Sequence, residues 1–342
     1  MSMRAFLLPC IMMFMLHYCE AQATYTNPVY NLNFPDPTVI RGHDGLFYAY
    51  ATNSSVSGTF YRIQVARSSD LVHWTVIGDA LPGDPSWADK DFWAPHVLFD
   101  HVRQQYYMYY SGESPDEHTG KCIGVAVSKR PEGPFVDIGT PLITGEGFIN
   151  IDPMAFDDPV SGKKYLYWGS AHQPIKVREL NEDRISFKQG SHAKEIITPN
   201  KEEYSKLVEG AWVHYRNGKY YLFYSGNNCC GDHANYAVMV ARSKSPEGPF
   251  ERLSKARGNN SSTILRKSHT WLAPGHNSII TDDSGQDWIV YHAIRRDSST
   301  KSQSRILLID RLYYNDGWPV VEGSVPSSKS FSVPFLKQNN SK

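Results

Sequence analysis

The chain of 342 residues has little cysteine, no excess of charge of either sign, and no long apolar stretch after its first two dozen residues. Each shortage excludes something. Five cysteines are too few for a disulfide scaffold in a chain of this length, and their spacing fits no zinc site. Lys plus Arg number 35 and Asp plus Glu number 35, so nothing draws the protein electrostatically to nucleic acid or to an anionic membrane. The apolar run Ala5 to Leu16 is too short to span a bilayer comfortably, and no other segment is long enough. Convincing amphipathic helices are missing as well. What the chain does have is 13% aromatic residues with 25 Gly and 21 Pro, a composition of strands and tight turns.

Arg4, the apolar run and the small-residue triplet Ala21-Gln22-Ala23 together have the form of a secretory leader over residues 1–23. The mature chain is then expected to begin near Thr24 and to be secreted. Its removal takes Cys10 and Cys19 and leaves Cys122, Cys229 and Cys230. The adjacent pair can be two buried thiols or a vicinal disulfide, and Cys122 can partner either. Sequons at Asn53, Asn259, Asn260 and Asn339 are expected to be surface glycosylation sites in a eukaryotic host.

Internal repetition sets the fold. Aromatic runs starting at Leu46, Tyr106, Tyr165, Tyr220 and Trp288 lie 55 to 68 residues apart, and most are followed by an alternating run, such as Ile123 to Val127 or Tyr236 to Val240. Ser128-Lys129-Arg130-Pro131-Glu132-Gly133-Pro134-Phe135 closely matches Ser243-Lys244-Ser245-Pro246-Glu247-Gly248-Pro249-Phe250, as duplication of a structural unit would produce. Five units of four strands predict an all-β chain folded as a five-bladed β-propeller over residues 24–326, followed by a loose tail over 327–342. A β-sandwich with coincidental periodicity is the competing fold.

Ten to thirteen residues before each aromatic run stands a polar or aromatic motif: Asp36, then Trp93-Ala94-Pro95-His96, then Asp152, Glu209 and His276. In a propeller the first strand of each blade borders the central channel, so positions of equal phase converge on one mouth. Asp-Pro is a common turn dipeptide, and Asp36 or Asp152 alone would be structural more often than functional. Three carboxyl groups at one phase, in apolar company, instead point to general acid–base chemistry. Trp93 either packs its strand or offers an indole face to a sugar ring. Phe34, His96 and Trp212, from the motifs carrying Asp36, Trp93 and Glu209, join it as substrate-binding candidates. His276 is either a hydrogen-bonded core histidine or a ligand to a central metal ion, directly or through water.

The motifs F-P-D-P-T, F-W-A-P-H, N-I-D-P-M, V-E-G-A-W, A-P-G-H-N-S and D-G-W-P, in this order over nearly the whole mature chain, closely resemble glycoside hydrolase family 43. The resemblance implies a five-bladed propeller that hydrolyses arabinose or xylose linkages of plant polysaccharide (arabinan, arabinoxylan) with inversion. It also implies roles: Asp36 general base, Glu209 general acid, and Asp152 the residue that tunes the acid and orients it. The Cys-Cys pair and the run ending at Ala293 resemble the arabinanase branch, which implies His276 near a central calcium ion. His96 and the triplet Glu209-Gly210-Ala211 depart from the common pattern and put substrate preference in question. A β-xylosidase or exo-acting α-L-arabinofuranosidase, a non-catalytic carbohydrate-binding propeller, and a retaining fructan-cleaving relative are the alternatives to an arabinan endo-hydrolase.

Overall fold

The computed structural model describes residues 23–116, 118–145, 147–169, 172–296 and 304–337. The expected leader, the Asn339 sequon and residues 338–342 lie outside these. Five antiparallel sheets follow one another in chain order and form a five-bladed β-propeller. Their first strands are Thr38–Arg41, Lys90–Asp100, Met154–Asp157, Val208–Arg216 and Trp271–Thr281 for blades I to V. The aromatic runs form the second strands, Phe47–Ala51, Gln105–Glu113, Lys164–Trp168, Lys219–Gly226 and Asp287–Arg295, and the alternating runs form the third. Blade I carries an added hairpin, Ser54–Val56 with Thr59–Tyr61. Among the described residues no helix is long and apolar enough to cross a membrane.

The second strands are aromatic or apolar on both faces because a neighbouring blade covers each face. Side chains alternate across a strand, so Tyr106, Met108 and Tyr110 pack toward blade I, while Tyr107 and Tyr109 pack toward blade III. Likewise Tyr220, Leu222 and Tyr224 face blade III, whereas Tyr221 and Phe223 face blade V. The core is thus five apolar seams between blades rather than one centre. The duplicated phrase has the same job twice: the Tyr50 hydroxyl donates to the Pro131 carbonyl at 2.5 Å, and the Tyr167 hydroxyl donates to the Pro246 carbonyl at 2.7 Å. In each case a second strand is tied to the turn of the next blade.

No strand is exchanged between the first and last blades. The ring closes instead through the N-terminal segment, which lies against the third strand of blade V, Arg305–Asn315. The Asn27 side chain accepts from the Ile309 amide at 3.0 Å and donates to its carbonyl at 2.9 Å. The Phe34 amide donates to the Arg305 carbonyl at 2.7 Å. Thr24–Tyr25 pairs with Phe331–Ser332, and Val333 and Leu336 pack on the seam between blades V and I. The expectation of a loose tail from 327 is therefore corrected for residues 327–337, whose apolar side chains and amides are used in closure.

The buried Asn27 amide accepts from the Ile309 N–H and shares the Ile309 carbonyl with the Tyr25 hydroxyl, so its loss strands the N–H. Asn27→Ala is expected to lower stability by about 2–3 kcal/mol, read as a reduced denaturant midpoint with an unchanged slope.

Candidate active site

At the channel mouth each blade has a residue in the left-handed region, within its first strand or two residues ahead of it: Asp36 (φ 54°), Ala94 (47°), Asp152 (56°), Gly210 (60°) and His276 (49°). This conformation is uncommon for residues with a Cβ and persists where surrounding bonds impose it. Here each backbone N–H is captured by a side chain of the preceding blade. Ala94 donates to Thr52 Oγ1 at 2.9 Å, Asp152 to Ser111 Oγ at 3.0 Å, and His276 to Ser225 Oγ at 2.8 Å. Asp36 donates to His292 Nδ1 at 3.0 Å, and Gly210 to Asp152 Oδ2 at 3.0 Å. The chain of straps turns five sequence-distant residues toward one pit. Gly210 suits its place, because an added Cβ would lie 3.2 Å from His276 Nδ1.

The carboxyl groups are buried together and are treated differently. Burial, the largest influence, would raise the Asp36 carboxyl, but the Arg305 guanidinium, 2.8 Å from Oδ1, acting with His276, His292 and the Thr52 hydroxyl, holds Asp36 well below the usual carboxylate range. The Thr52 hydroxyl adds a 2.6 Å bond to Oδ2. His276 Nδ1 lies 3.5 Å from Asp36 Oδ1 and 3.9 Å from Asp152 Oδ2. Burial lowers both His276 and His292, so neither imidazole is charged at neutral pH and the guanidinium leads the influences that oppose burial. Since His292 Nδ1 accepts the Asp36 amide, its proton is on Nε2.

Asp152 goes the other way. Burial first, then the charge of Glu209, then that of Asp36 raise its carboxyl well above the ordinary range. Two carboxyl groups in one dehydrated site beside a third that is ionised keep a proton between them. The Tyr236 hydroxyl donates to Glu209 Oε1 at 2.7 Å and fixes that end of the pair. Tyr236 is itself stacked on His292, with ring centroids 5.8 Å apart and planes within 8°. Its ring occupies the space that a Cβ on Gly275 would fill, 2.1 Å from Tyr236 Cδ1.

The pit is a cavity of about 390 Å³ bounded by Asp36, Asp152, Glu209, His276, Arg305, Trp93 and Phe148, with the Cys229–Cys230 disulfide on its rim. Trp93 and Phe148 stand 5.4 Å apart as an aromatic wall. The Lys121 ammonium sits 4.0 Å over the Trp93 ring and bonds Asp91 at 2.5 Å. Cys122 is a buried free thiol.

Three expected substrate contacts are displaced from this pit. Phe34 is fully buried in the seam between blades I and V, edge-on to Tyr30, where it supports ring closure. His96 and Trp212 lie three residues deeper than Trp93 and Glu209 on their strands. Their rings meet edge to face at 5.3 Å. Blade III separates blades II and IV around the ring, so this contact crosses the central channel and floors the pit. Burial pushes His96 down to about 3, leaving a neutral ring below the site. Asn53 lines the pit with its Oδ1 buried, which corrects its reading as a surface glycan site; Asn259 and Asn260 are exposed.

Sequence reasoning missed Arg305, Tyr236, Thr52, His292 and Phe148. Arg305 opens a third strand and belongs to no repeated motif. Tyr236 and His292 do carry a signal, since each stands in an aromatic or apolar run that is otherwise core.

The sequence profile described as Glycosyl hydrolases family 43 matches residues 25–319. The chain belongs to glycosyl hydrolase family 43. This family 43 enzyme is an O-glycosyl hydrolase. It is 32% identical over 306 residues to beta-D-galactofuranosidase xynD of Aspergillus niger, covering 86% of this chain and 84% of the relative. It is 29% identical over 304 residues to a probable arabinan endo-1,5-alpha-L-arabinosidase A of Aspergillus flavus, covering 84% and 91%. A solved thermostable family-43 glycoside hydrolase superposes with a TM-score of 0.73 at 31% identity, covering 92% of this chain and 100% of the other.

Calcium takes six to eight oxygen ligands. Around His276 the family 43 chain offers one imidazole whose Nδ1 already faces Asp36 and Asp152, and among the described residues no group of three or more His, Cys, Asp or Glu forms a metal site. The donor set does not fit direct coordination of calcium, and no chemical step is assigned to an ion.

Arg305 opposes the burial of Asp36, so its removal raises the Asp36 carboxyl. Arg305→Met is expected to move the acid limb of the kcat/KM profile up by about 1–3 pH units, measured on an aryl glycoside from pH 3 to 8.

Proposed function

We propose that this family 43 enzyme is a secreted, inverting hydrolase of α-L-arabinofuranosyl linkages, cutting arabinan within the chain. The observation that carries the reading is the charge division in the pit: Asp36 held ionised by Arg305, facing an Asp152–Glu209 pair that retains a proton. Inversion needs that combination, one carboxylate to activate water on one face of the sugar and one carboxylic acid to protonate the leaving oxygen on the other. Asp36 is the general base. Glu209, positioned by Tyr236, is the general acid; Asp152 raises its pKa and orients it, and the proton Asp36 takes from the attacking water is exchanged through solvent for the one Glu209 gives to the leaving oxygen.

The aromatic wall of Trp93 and Phe148 offers apolar faces to a sugar ring, and the floor made by His96 and Trp212 limits the depth of entry. A furanose is the favoured unit because two of the relatives are named for galactofuranosyl and arabinofuranosyl substrates. Galactofuranoside cleavage on the same carboxyl groups is the second reading, and it rests on the 32% relative. Secretion is supported by the leader-like residues 1–23.

Asp36→Asn and Glu209→Gln are each expected to reduce kcat by about 10²- to 10⁴-fold with folding unchanged. Proton NMR of linear α-1,5-arabinan digestion is expected to show the β-anomer first. A first product in the α-configuration contradicts inversion, and cleavage of only galactofuranosides or xylosides in a substrate panel contradicts the arabinan reading.

A further inference from the structure

Trp93 stands at an irregular place in its strand. The first strand of blade II shifts register against the second on both sides of it, between Lys90 and Trp93 and again between Trp93 and His96. Asp91 (φ 56°) and Ala94 (φ 47°) flank it in the left-handed region. Shifts of this kind re-aim a side chain, and here they turn the indole toward the pit. They also interrupt the ladder, so regular strand pairing does not by itself hold the ring.

The Lys121 ammonium lies at that interruption. It sits 4.0 Å over the Trp93 ring and 5.4 Å over the Phe148 ring. It donates to Asp91 Oδ2 at 2.5 Å and to Glu113 Oε2. Asp91 is two residues before Trp93, and Glu113 pairs with Lys90 on one side and with Lys121 on the other. The Lys121 side chain is 3% exposed, whereas Trp93 is partly exposed and lines the pit. The ammonium therefore covers the indole face turned away from the cavity.

The backbone of the same residue reaches the other half of the wall. The Lys121 amide donates to the Gly147 carbonyl at 3.0 Å, next to Phe148. Gly120 (φ 64°) permits the approach, because an added Cβ there would lie 2.6 Å from Gly147 N and O. A buried ammonium needs compensation, and Asp91 and Glu113 supply it; the bond from Lys121 holds the Glu113 carboxyl below its usual range. An ammonium withdrawn from water over an indole is attracted by the ring quadrupole, which resists rotation of the ring.

We propose that Lys121 is a positioning residue for sugar binding: it acts through Trp93, fixing the indole so that its free face meets the sugar in the pit. The proposal rests on the reading of Trp93 as a sugar platform. A platform fixed in advance loses no rotamer freedom when the sugar arrives, and such an effect appears in KM rather than in kcat.

The test measures kcat and KM of the full-length enzyme on an aryl α-L-arabinofuranoside, or on an aryl β-D-galactofuranoside should that be the better substrate. Lys121→Met is expected to raise KM about five- to twentyfold with kcat within about twofold. Trp93→Ala is expected to raise KM at least as much, and in its background Lys121→Met then changes KM by less than about twofold. Lys121→Met/Glu113→Gln, which removes a carboxylate together with the ammonium, carries the same expectation and serves where the single variant fails to fold. A KM close to wild type in the Lys121 variants, a loss confined to kcat, or a Lys121 effect undiminished in the Trp93→Ala background overturns the proposal and leaves the pit reading intact. A Trp93→Ala enzyme with wild-type KM instead removes the sugar platform itself, and the proposal with it.

Discussion

Three carboxyl groups share one buried pit, and the proton inventory of the site follows from where the Arg305 guanidinium lies among them. Arg305 reaches Asp36 at 2.8 Å and settles its ionisation. At Asp152 burial and the charges of Glu209 and Asp36 act in the same direction, and a proton is kept on the pair. A base and an acid are thus produced from the same residue chemistry by the position of one cation. Tyr236 orients one end of the acid pair and Thr52 one oxygen of the base, so both groups are held before a substrate arrives.

That arrangement depends on how the ring closes. Arg305 begins the third strand of blade V, and its amide donates to Asn33 Oδ1 at 3.0 Å while its carbonyl accepts from Phe34. The segment that seals blade V against blade I therefore also brings the guanidinium onto Asp36, two residues beyond Phe34. Fold closure and charge placement are one event. The straps at the channel mouth complete it, because each left-handed residue is fixed by a neighbouring blade and no blade can set its own catalytic residue alone. The propeller holds four residues with a Cβ, Asp36, Ala94, Asp152 and His276, in a strained backbone region, with Gly210 as the fifth, unstrained member, to converge them.

The blades were legible in the sequence because a strand covered on both faces must be apolar throughout, and Tyr106 to Tyr110 or Tyr220 to Tyr224 show that at a glance. The common phase of Asp36, Asp152 and Glu209 was legible for a related reason: repetition gives equivalent residues equivalent places. Depth along a strand was not. Phe34, His96 and Trp212 share motifs with pit residues, yet a shift of two or three positions at a bulge moves a side chain into a seam or down to the channel floor. Contacts between different elements were also hidden, since nothing near Arg305 or Tyr236 in sequence indicates that Asp36 and Glu209 are their partners. The closing role of residues 331–336 was masked by a Ser- and Lys-rich composition that resembles a solvated tail.

The charge division is tested most directly by carbon-13 NMR titration of the side-chain carboxyl groups in enzyme labelled at Asp and Glu, with Asp36→Asn and Asp152→Asn used for assignment. The account predicts that Asp36 remains ionised at the lowest pH the fold tolerates, and that one carboxyl of the Asp152–Glu209 pair stays protonated well above the ordinary carboxylate value near 4. Three carboxyl groups titrating together near 4, or a protonated Asp36 at pH 5, would contradict it.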